Sequence, residues 1–238
     1  MADFVLVHGA WHGALCWKRV VPSLWAAGHR VFAVSLTGVG EKAHLPASSV
    51  TLDTHIADVQ AVIEAEELTD AILVGHSYAG MLITGVADRL ATRLRHLVYL
   101  DAVVPLPGES WAAGQPAQTQ AERRRVIAER GVIAPPDAAI FGLAGADQAW
   151  VNRRQTPHPG AVYDAPLGFD AARVAAIPRT FIDCTAPALA TIALMRQRVR
   201  SQPGWNVIEL ATGHDAMVSD PQGLLRTLLN IAEAPASA

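Results

Sequence analysis

A chain of 238 residues, 51% of them hydrophobic, is long enough to bury a large core in one α/β domain with a modest insertion, without disulfides as staples. A formal net charge of −3 excludes an electrostatic footprint for nucleic acid, and the one arginine run, Arg123-Arg124-Arg125, is flanked by acids and reads as a solvated helix face. Two cysteines far apart, Cys16 and Cys184, exclude a disulfide scaffold; with no stretch of membrane-spanning length and no leader pattern, the expected setting is the cytoplasm, with no membrane partner.

In chain order, short Val/Ile/Leu/Phe runs alternate with longer amphipathic stretches, the pattern of a mostly parallel sheet covered by helices on both faces. The first strand, Phe4 to His8, runs into His8-Gly9-Ala10-Trp11-His12-Gly13. Glycine at that point lets the following N–H groups turn toward a developing negative charge, which nominates the Ala10 N–H for an oxyanion hole; a plain tight turn is the alternative. A second strand spans Arg30 to Ser35, and a helix over Leu52 to Glu66 follows Thr51 and Asp53 as candidate N-caps. The third strand, Ala71 to Gly75, meets Gly75-His76-Ser77-Tyr78-Ala79-Gly80 and then a helix to Leu90. This reads as a nucleophile elbow, in which small neighbours let the backbone turn tightly enough to expose Ser77, and Tyr78 supplies the second oxyanion N–H. The departure from Gly-x-Ser-x-Gly is Ala79, with glycine one place later.

A fourth strand, Leu97 to Asp101, precedes a proline-punctuated interval from about Ala102 to Pro166 with helical patches such as Ala121 to Glu129. A connection this long is read as a cap over one end of the sheet, residues 102–166, on a core of residues 1–101 and 167–238. Strands over Thr180 to Cys184 and Asn206 to Leu210, the latter less apolar and nearer an edge, and helices over Leu189 to Val199 and Pro221 to Ile231 complete the fold, ahead of an Ala/Pro/Ser tail after Ala234. Between the last strand and last helix lies Thr212-Gly213-His214-Asp215. Of nine histidines, His214 follows Ser77 in the order nucleophile, acid, histidine, on a loop at a strand's carboxyl end where open parallel sheets bind ligands. No Gly-x-x-x-x-Gly-Lys-Ser/Thr and no Gly-x-Gly-x-x-Gly is present, so phosphate-loop and dinucleotide readings fail; neither cofactor nor metal is expected.

These motifs, with Phe-Val-Leu-Val-His-Gly-Ala-Trp-His-Gly at the start and Ala27-Gly28-His29-Arg30-Val31 after it, resemble the α/β-hydrolase superfamily, and within it the plant-type methyl-ester esterase and hydroxynitrile lyase group with its bacterial esterase relatives. The resemblance implies cofactor-free attack by Ser77 on an ester carbonyl, His214 as base, water completing turnover, and a cap that shapes the pocket. In lyase members a polar side chain commonly matches Ala10 and a lysine follows the histidine; Ala10 and Asp215 here favour the esterase. The group's acid usually lies a few residues beyond a Cys-Thr pair. Here that stretch is Cys184-Thr185-Ala186-Pro187-Ala188-Leu189-Ala190, without a carboxylate. The best replacement is Asp101, which ends the strand after the elbow helix; Asp183, Asp215 or no carboxylate at all are the alternatives. The expected reaction is hydrolysis of a small to medium ester with an apolar portion. Trp11, His12, Trp111 and Trp150 are the candidate substrate contacts, with Tyr78, Phe141 and Tyr163 as further aromatics in reach. A lyase-like activity and a ligand-binding receptor on the same scaffold are the competing functions, and a homodimer stays open.

Overall fold

The computed structural model describes residues 1–234, and the Ala/Pro/Ser tail lies outside the described residues. The described strands, in chain order, are β1 (Asp3–Val7), β2 (Arg30–Val34), β3 (Ala71–His76), β4 (Leu94–Leu100), β5 (Val132–Ile133), β6 (His158–Pro159), β7 (Arg179–Cys184) and β8 (Trp205–Leu210). The helices are α1 (Val21–Ala26), α2 (Leu52–Ala65), α3 (Ala79–Leu90), α4 (Ala117–Arg130), α5 (Gly145–Asn152), α6 (Ala171–Ala175), α7 (Ala193–Ser201), α8 (Ala216–Ser219) and α9 (Pro221–Glu233).

Six strands make one parallel sheet in the order β2-β1-β3-β4-β7-β8, while β5 and β6 form a separate antiparallel ribbon. Strand order reverses at β1, whose neighbours are β2 and β3, so the crevice of the sheet opens at the carboxyl ends of β1 and β3. Register aligns those ends: Val7 pairs with Gly75, and His76 pairs with Leu100 on β4. The turns after β1, β3 and β4 therefore meet at one place.

Burial follows position in the sheet. Every residue of β3 is buried, whereas β8 at the edge alternates between half-buried and exposed residues, in keeping with its lower apolar content. Helix α2 starts at a capping box in which Thr51 and Thr54 satisfy each other's backbone N–H groups, and it buries Leu52, His55, Ile56, Val59 and Ile63 at helical spacing. Helix α3 is buried from Ala79 through Ala87, as befits a helix that starts beneath the site and packs on the sheet, α2 and α6. At the end of the described chain, Asp220 caps α9 by accepting from the Gly223 N–H at 2.9 Å, with Pro221 in the first turn.

The structure departs from the expected elements in places. The helix expected from Leu189 begins with a 3-10 turn over Ala190–Ile192 and becomes α-helical only at Ala193. Strand β4 starts three residues earlier than expected, because Leu94 and His96 pair with Ala71 and Ile72 on β3 across an irregularity in register that leaves Arg95 unpaired in the ladder. The short helices α1, α5 and α6 run for only one or two turns and carry too few residues to show a period. No helix among the described residues is long and apolar enough to cross a membrane.

Candidate active site

The turn after β3 has the geometry of a strained elbow. Ser77 has φ of 54°, a left-handed conformation that a non-glycine residue occupies only where its surroundings impose it. The Ser77 N–H donates to the Leu100 carbonyl at 3.2 Å, and the Ser77 carbonyl accepts from Val103 at 2.9 Å and Gly80 at 3.1 Å. Flanking small residues permit this. A Cβ on Gly75 would lie 2.9 Å from the Ala79 carbonyl oxygen, and one on Gly80 would lie 1.8 Å from that of Val103. The glycine displaced by one place from the usual motif is thus required by the close pass of the chain after β4, while Ala79 fits as it stands, fully buried.

The turn after β1 presses against the same elbow. A Cβ on Gly9 would lie 2.9 Å from Ser77 Cβ and 2.8 Å from His76 Nδ1, so only glycine brings this backbone so close. His8 ties the turn to the end of β2: its Nδ1–H donates to the Gly9 carbonyl at 2.8 Å and its Nε2 accepts from the Leu36 N–H at 3.2 Å. Burial pushes the His8 imidazolium down to about 4, and the neutral ring matches that donor and acceptor pattern. Neither the Ala10 nor the Tyr78 N–H takes an acceptor among the described residues. The Tyr78 side chain is fully buried and turned away, its hydroxyl donating to His55 Nδ1 at 3.1 Å while His55 Nε2–H donates to the Thr37 carbonyl at 2.8 Å.

His214, on the loop after β8, is 2% exposed, and its Nδ1 lies 2.6 Å from Asp101 Oδ2. Asp101 is wholly buried at the end of β4, with φ of 42°, and its other oxygen accepts from Arg196 Nη2 at 2.7 Å. Arg196, on α7, also donates to Asp183, to the Leu189 carbonyl at 2.6 Å and to the Cys184 carbonyl at 3.2 Å. Asp183 is thereby held by Arg196 and Arg200 and is not bonded to His214. Nothing in the sequence pattern marked Arg196, because a lone arginine on a helix is ordinarily a surface group. Ser77 and His214 line one pocket; they make no direct hydrogen bond in the structure, a contact that commonly tightens only around substrate.

Asp215 is buried beneath the histidines rather than bonded to the ring beside it in sequence. Its Oδ2 is 3.3 Å from His12 Nε2 and its Oδ1 is 3.7 Å from His76 Nε2. Burial pushes this carboxyl up, but His12, with His76 and His214 beyond it, outweighs that and holds it down at about 2. Burial, aided by His214, pushes His76 far below the usual histidine range, so its ring is neutral at pH 7; its Nε2–H donates to the His214 carbonyl at 3.0 Å. Among the described residues His76, His214 and Asp215 bring ligand-type atoms within 4.8 Å of one another. Within this cluster His76 Nε2 is committed to a carbonyl and His214 Nδ1 to Asp101, whereas His76 Nδ1 and both Asp215 oxygens take no hydrogen-bond partner among the described residues.

The alpha/beta hydrolase family pattern matches residues 4–227. The chain belongs to the alpha/beta hydrolase family. It is 42% identical to a carbendazim hydrolyzing esterase of Nocardioides sp., covering 96% of this chain and 98% of that protein. It is 29% identical to a pyrethroid hydrolase of Sphingobium wenxiniae, covering 99% and 89%. Among solved structures, an extracellular alpha/beta-hydrolase from a Paenibacillus species superposes with a TM-score of 0.86 at 22% identity, over 97% of this chain and 98% of that one. The two relatives that match over nearly the whole chain are named as an esterase and a hydrolase, and this chain is an enzyme of that kind.

The hydrolase carries at Ser77 and His214 a narrow pocket with a cavity volume of about 50 Å³. Trp11, Trp111 and Phe141 line it, with Ile192 and Met195 from the chain after β7. Trp11 is fixed by its indole N–H donating to the Ile133 carbonyl at 3.0 Å, and it stacks on Phe141 with centroids 6.2 Å apart. His12 and Trp150 were expected at the substrate but are placed elsewhere. They line a different cavity with Gly13, Cys16 and Glu41. The reason is local: φ of 65° at Trp11 turns successive side chains apart, so that Trp11 enters the Ser77 pocket and His12 points to Asp215. Trp150 is held outside by Arg19 and Arg154, whose guanidinium carbons sit 5.7 and 4.5 Å from its ring. Tyr163 is fully buried and packs on Trp111 from behind. Arg123, expected on a solvated face, instead lines the Ser77 pocket.

Proposed function

We propose that this hydrolase cleaves small to medium carboxylic esters through an acyl-enzyme on Ser77, with His214 as general base, Asp101 as the acid that orients it, and the Ala10 and Tyr78 N–H groups as the oxyanion hole. The observation that carries the reading is the buried 2.6 Å contact between Asp101 and His214 Nδ1, in a ring whose other edge shares a pocket with the strained Ser77. Asp101 holds the Nδ1–H tautomer, leaving the Nε2 lone pair for the serine proton. Ser77 Oγ then attacks the ester carbonyl, the two amides take up the oxyanion charge, and His214 returns the proton to the departing alcohol. Water, activated by the same nitrogen, attacks the acyl-enzyme and releases the acid.

Trp11 and Trp111 supply apolar walls for the substrate, and residues 102–166 act as the cap that shapes the pocket over the core of residues 1–101 and 167–238. Carbendazim is a first substrate to try, since it names what the relative at 42% identity hydrolyses. We assign the enzyme to the cytoplasm, in keeping with the free thiols of Cys16 and Cys184, both buried. An activated aryl ester mixed with enzyme should release its phenol in a burst equal to the enzyme concentration. Ser77→Ala should lack both burst and turnover; a burst that persists in Ser77→Ala overturns the assignment.

A further inference from the structure

Apart from Ser77 and His214, the Ser77 pocket is walled mainly by apolar and aromatic side chains, with Gln115, Thr191 and one cation, Arg123, among them. Arg123 sits on α4 between Glu122 and Arg124, and its neighbours are paired outside: Arg124 with Asp164 at 2.8 Å, and Glu122 with Arg125 at 2.8 Å. Arg123 alone turns inward. Its guanidinium carbon lies 5.4 Å from the Trp11 ring, 5.1 Å from Trp111 and 5.5 Å from Tyr163. Its one protein acceptor among the described residues is Gln115 Oε1, at 2.8 Å, and that oxygen also accepts from the Tyr163 hydroxyl at 2.7 Å. No carboxylate among the described residues comes within salt-bridge distance of it. Gln115 is 8% exposed, so the partner that aims the guanidinium is itself fixed.

Three aromatic faces recover part of the cost of taking this charge partly out of water, but they use none of its remaining N–H donors. Burial presses the Arg123 guanidinium toward its neutral form, and only the adjacent Tyr163 hydroxyl, with no carboxylate, works against it. An arginine keeps its proton regardless, so a permanent positive charge lines the cavity that contains Ser77 and His214, at the wall it shares with a shallower groove beside Ile133 and Pro136. A planar fork of this kind is matched by a carboxylate.

We propose that Arg123, aimed by Gln115, is a specificity-determining residue that selects esters carrying a carboxylate remote from the scissile bond. This rests on the esterase reading above and names the substrate class for the same site. A half-ester of a dicarboxylic acid would place its carbonyl at Ser77 and its free carboxylate at Arg123, with the apolar linker along Trp11 and Trp111. Gln115 acts through Arg123 and is a positioning residue.

The test compares matched anionic and neutral esters. One pair carries the charge on the acyl side, p-nitrophenyl hydrogen glutarate against p-nitrophenyl pentanoate; the other carries it on the alcohol side, 4-carboxyphenyl butyrate against phenyl butyrate. For wild type, Arg123→Gln and Arg123→Lys, the readout is the ratio of kcat/KM for the anionic ester to that for its neutral partner. In at least one pair that ratio should fall tenfold or more in Arg123→Gln, recover in part in Arg123→Lys, and shrink in wild type as salt is raised. A ratio that is the same in all three proteins for both pairs overturns the inference while ester turnover itself stands. If wild type turns over none of the four esters and Ser77 is unreactive to a phosphonate, the esterase reading fails and this inference with it. Because each ratio is taken within one protein, a partly unfolded variant lowers both rates and leaves the ratio readable.

Discussion

Replacing Asp101 by asparagine tests the proposed catalytic geometry at its least obvious member. Both carboxylate oxygens are acceptors in a buried setting, one for His214 Nδ1 at 2.6 Å and the other for Arg196 Nη2 at 2.7 Å. An amide has one acceptor and one donor end, so one partner must be mismatched. Arginine cannot give up a proton, whereas imidazole can change tautomer. The amide oxygen therefore turns to Arg196 and the NH2 to His214, which forces the proton onto Nε2 and leaves no lone pair for Ser77. The same exchange in a serine protease triad costs about 10⁴ in kcat. We expect a loss of about 10³ to 10⁴ here, equivalent to roughly 4 to 5.5 kcal/mol of transition-state stabilisation. Steady-state hydrolysis of an aryl ester by Asp101→Asn, alongside a thermal melt to confirm folding, measures it. The backbone at φ of 42° is one that asparagine tolerates, so the fold should survive. Activity within tenfold of wild type in a folded Asp101→Asn protein, with His214→Ala inactive, would refute the reasoning.

Further outcomes follow from the same geometry. Gly9→Ala drives a Cβ to 2.9 Å from Ser77 Cβ and should cut kcat by about 10²-fold through displacement of the elbow and of the Ala10 N–H, read by aryl ester kinetics. Arg196→Met leaves Asp101 without its charged partner and should lower stability by about 3–5 kcal/mol in urea denaturation, since it removes one side of a buried ion pair. Stability should fall on acidification between pH 6.5 and 4. The His8 imidazole, held near 4 in the folded protein against 6.5 when unfolded, takes up its proton only on unfolding in that window. The unfolded state binds more protons there, so unfolding free energy rises with pH, and His8 alone accounts for up to about 3 kcal/mol of the change. His76 and His158, also held neutral by burial, act in the same direction. Denaturant titrations at pH 7, 5.5 and 4.5 measure the slope, and a flat profile contradicts the assignment of neutral buried rings.

The parts of the site that could be read from the chain are local in sequence. A glycine-flanked serine between strand and helix, a His-Gly after the first strand and a histidine loop after the last are each fixed by a turn that a few adjacent residues specify. The strands were legible for the same reason, being short apolar runs cut by turn residues, and the lower apolar content of β8 reflected its place at the edge. What lies between elements was not. Asp101 is preferred to Asp183 and Asp215 on strand placement alone, because sequence does not give the contact with His214 across 113 residues. His12 and Trp150 follow chain proximity to the motifs, but the left-handed turn at Trp11 and the arginines around Trp150 decide which cavity each side chain enters. Arg123 and Arg196 look like surface arginines on helices; their inward aim depends on Gln115 and on the ends of β4 and β7, which only the packed fold brings alongside.

The central claim is that Ser77 is the nucleophile. A serine-directed aryl phosphonate, incubated with the enzyme and followed by intact-mass and peptide mass spectrometry, tests it most directly. One adduct per chain on the peptide containing Ser77, abolished in Ser77→Ala along with ester turnover, is the predicted result. A label on any other residue, or ester hydrolysis that persists in Ser77→Ala, would contradict it.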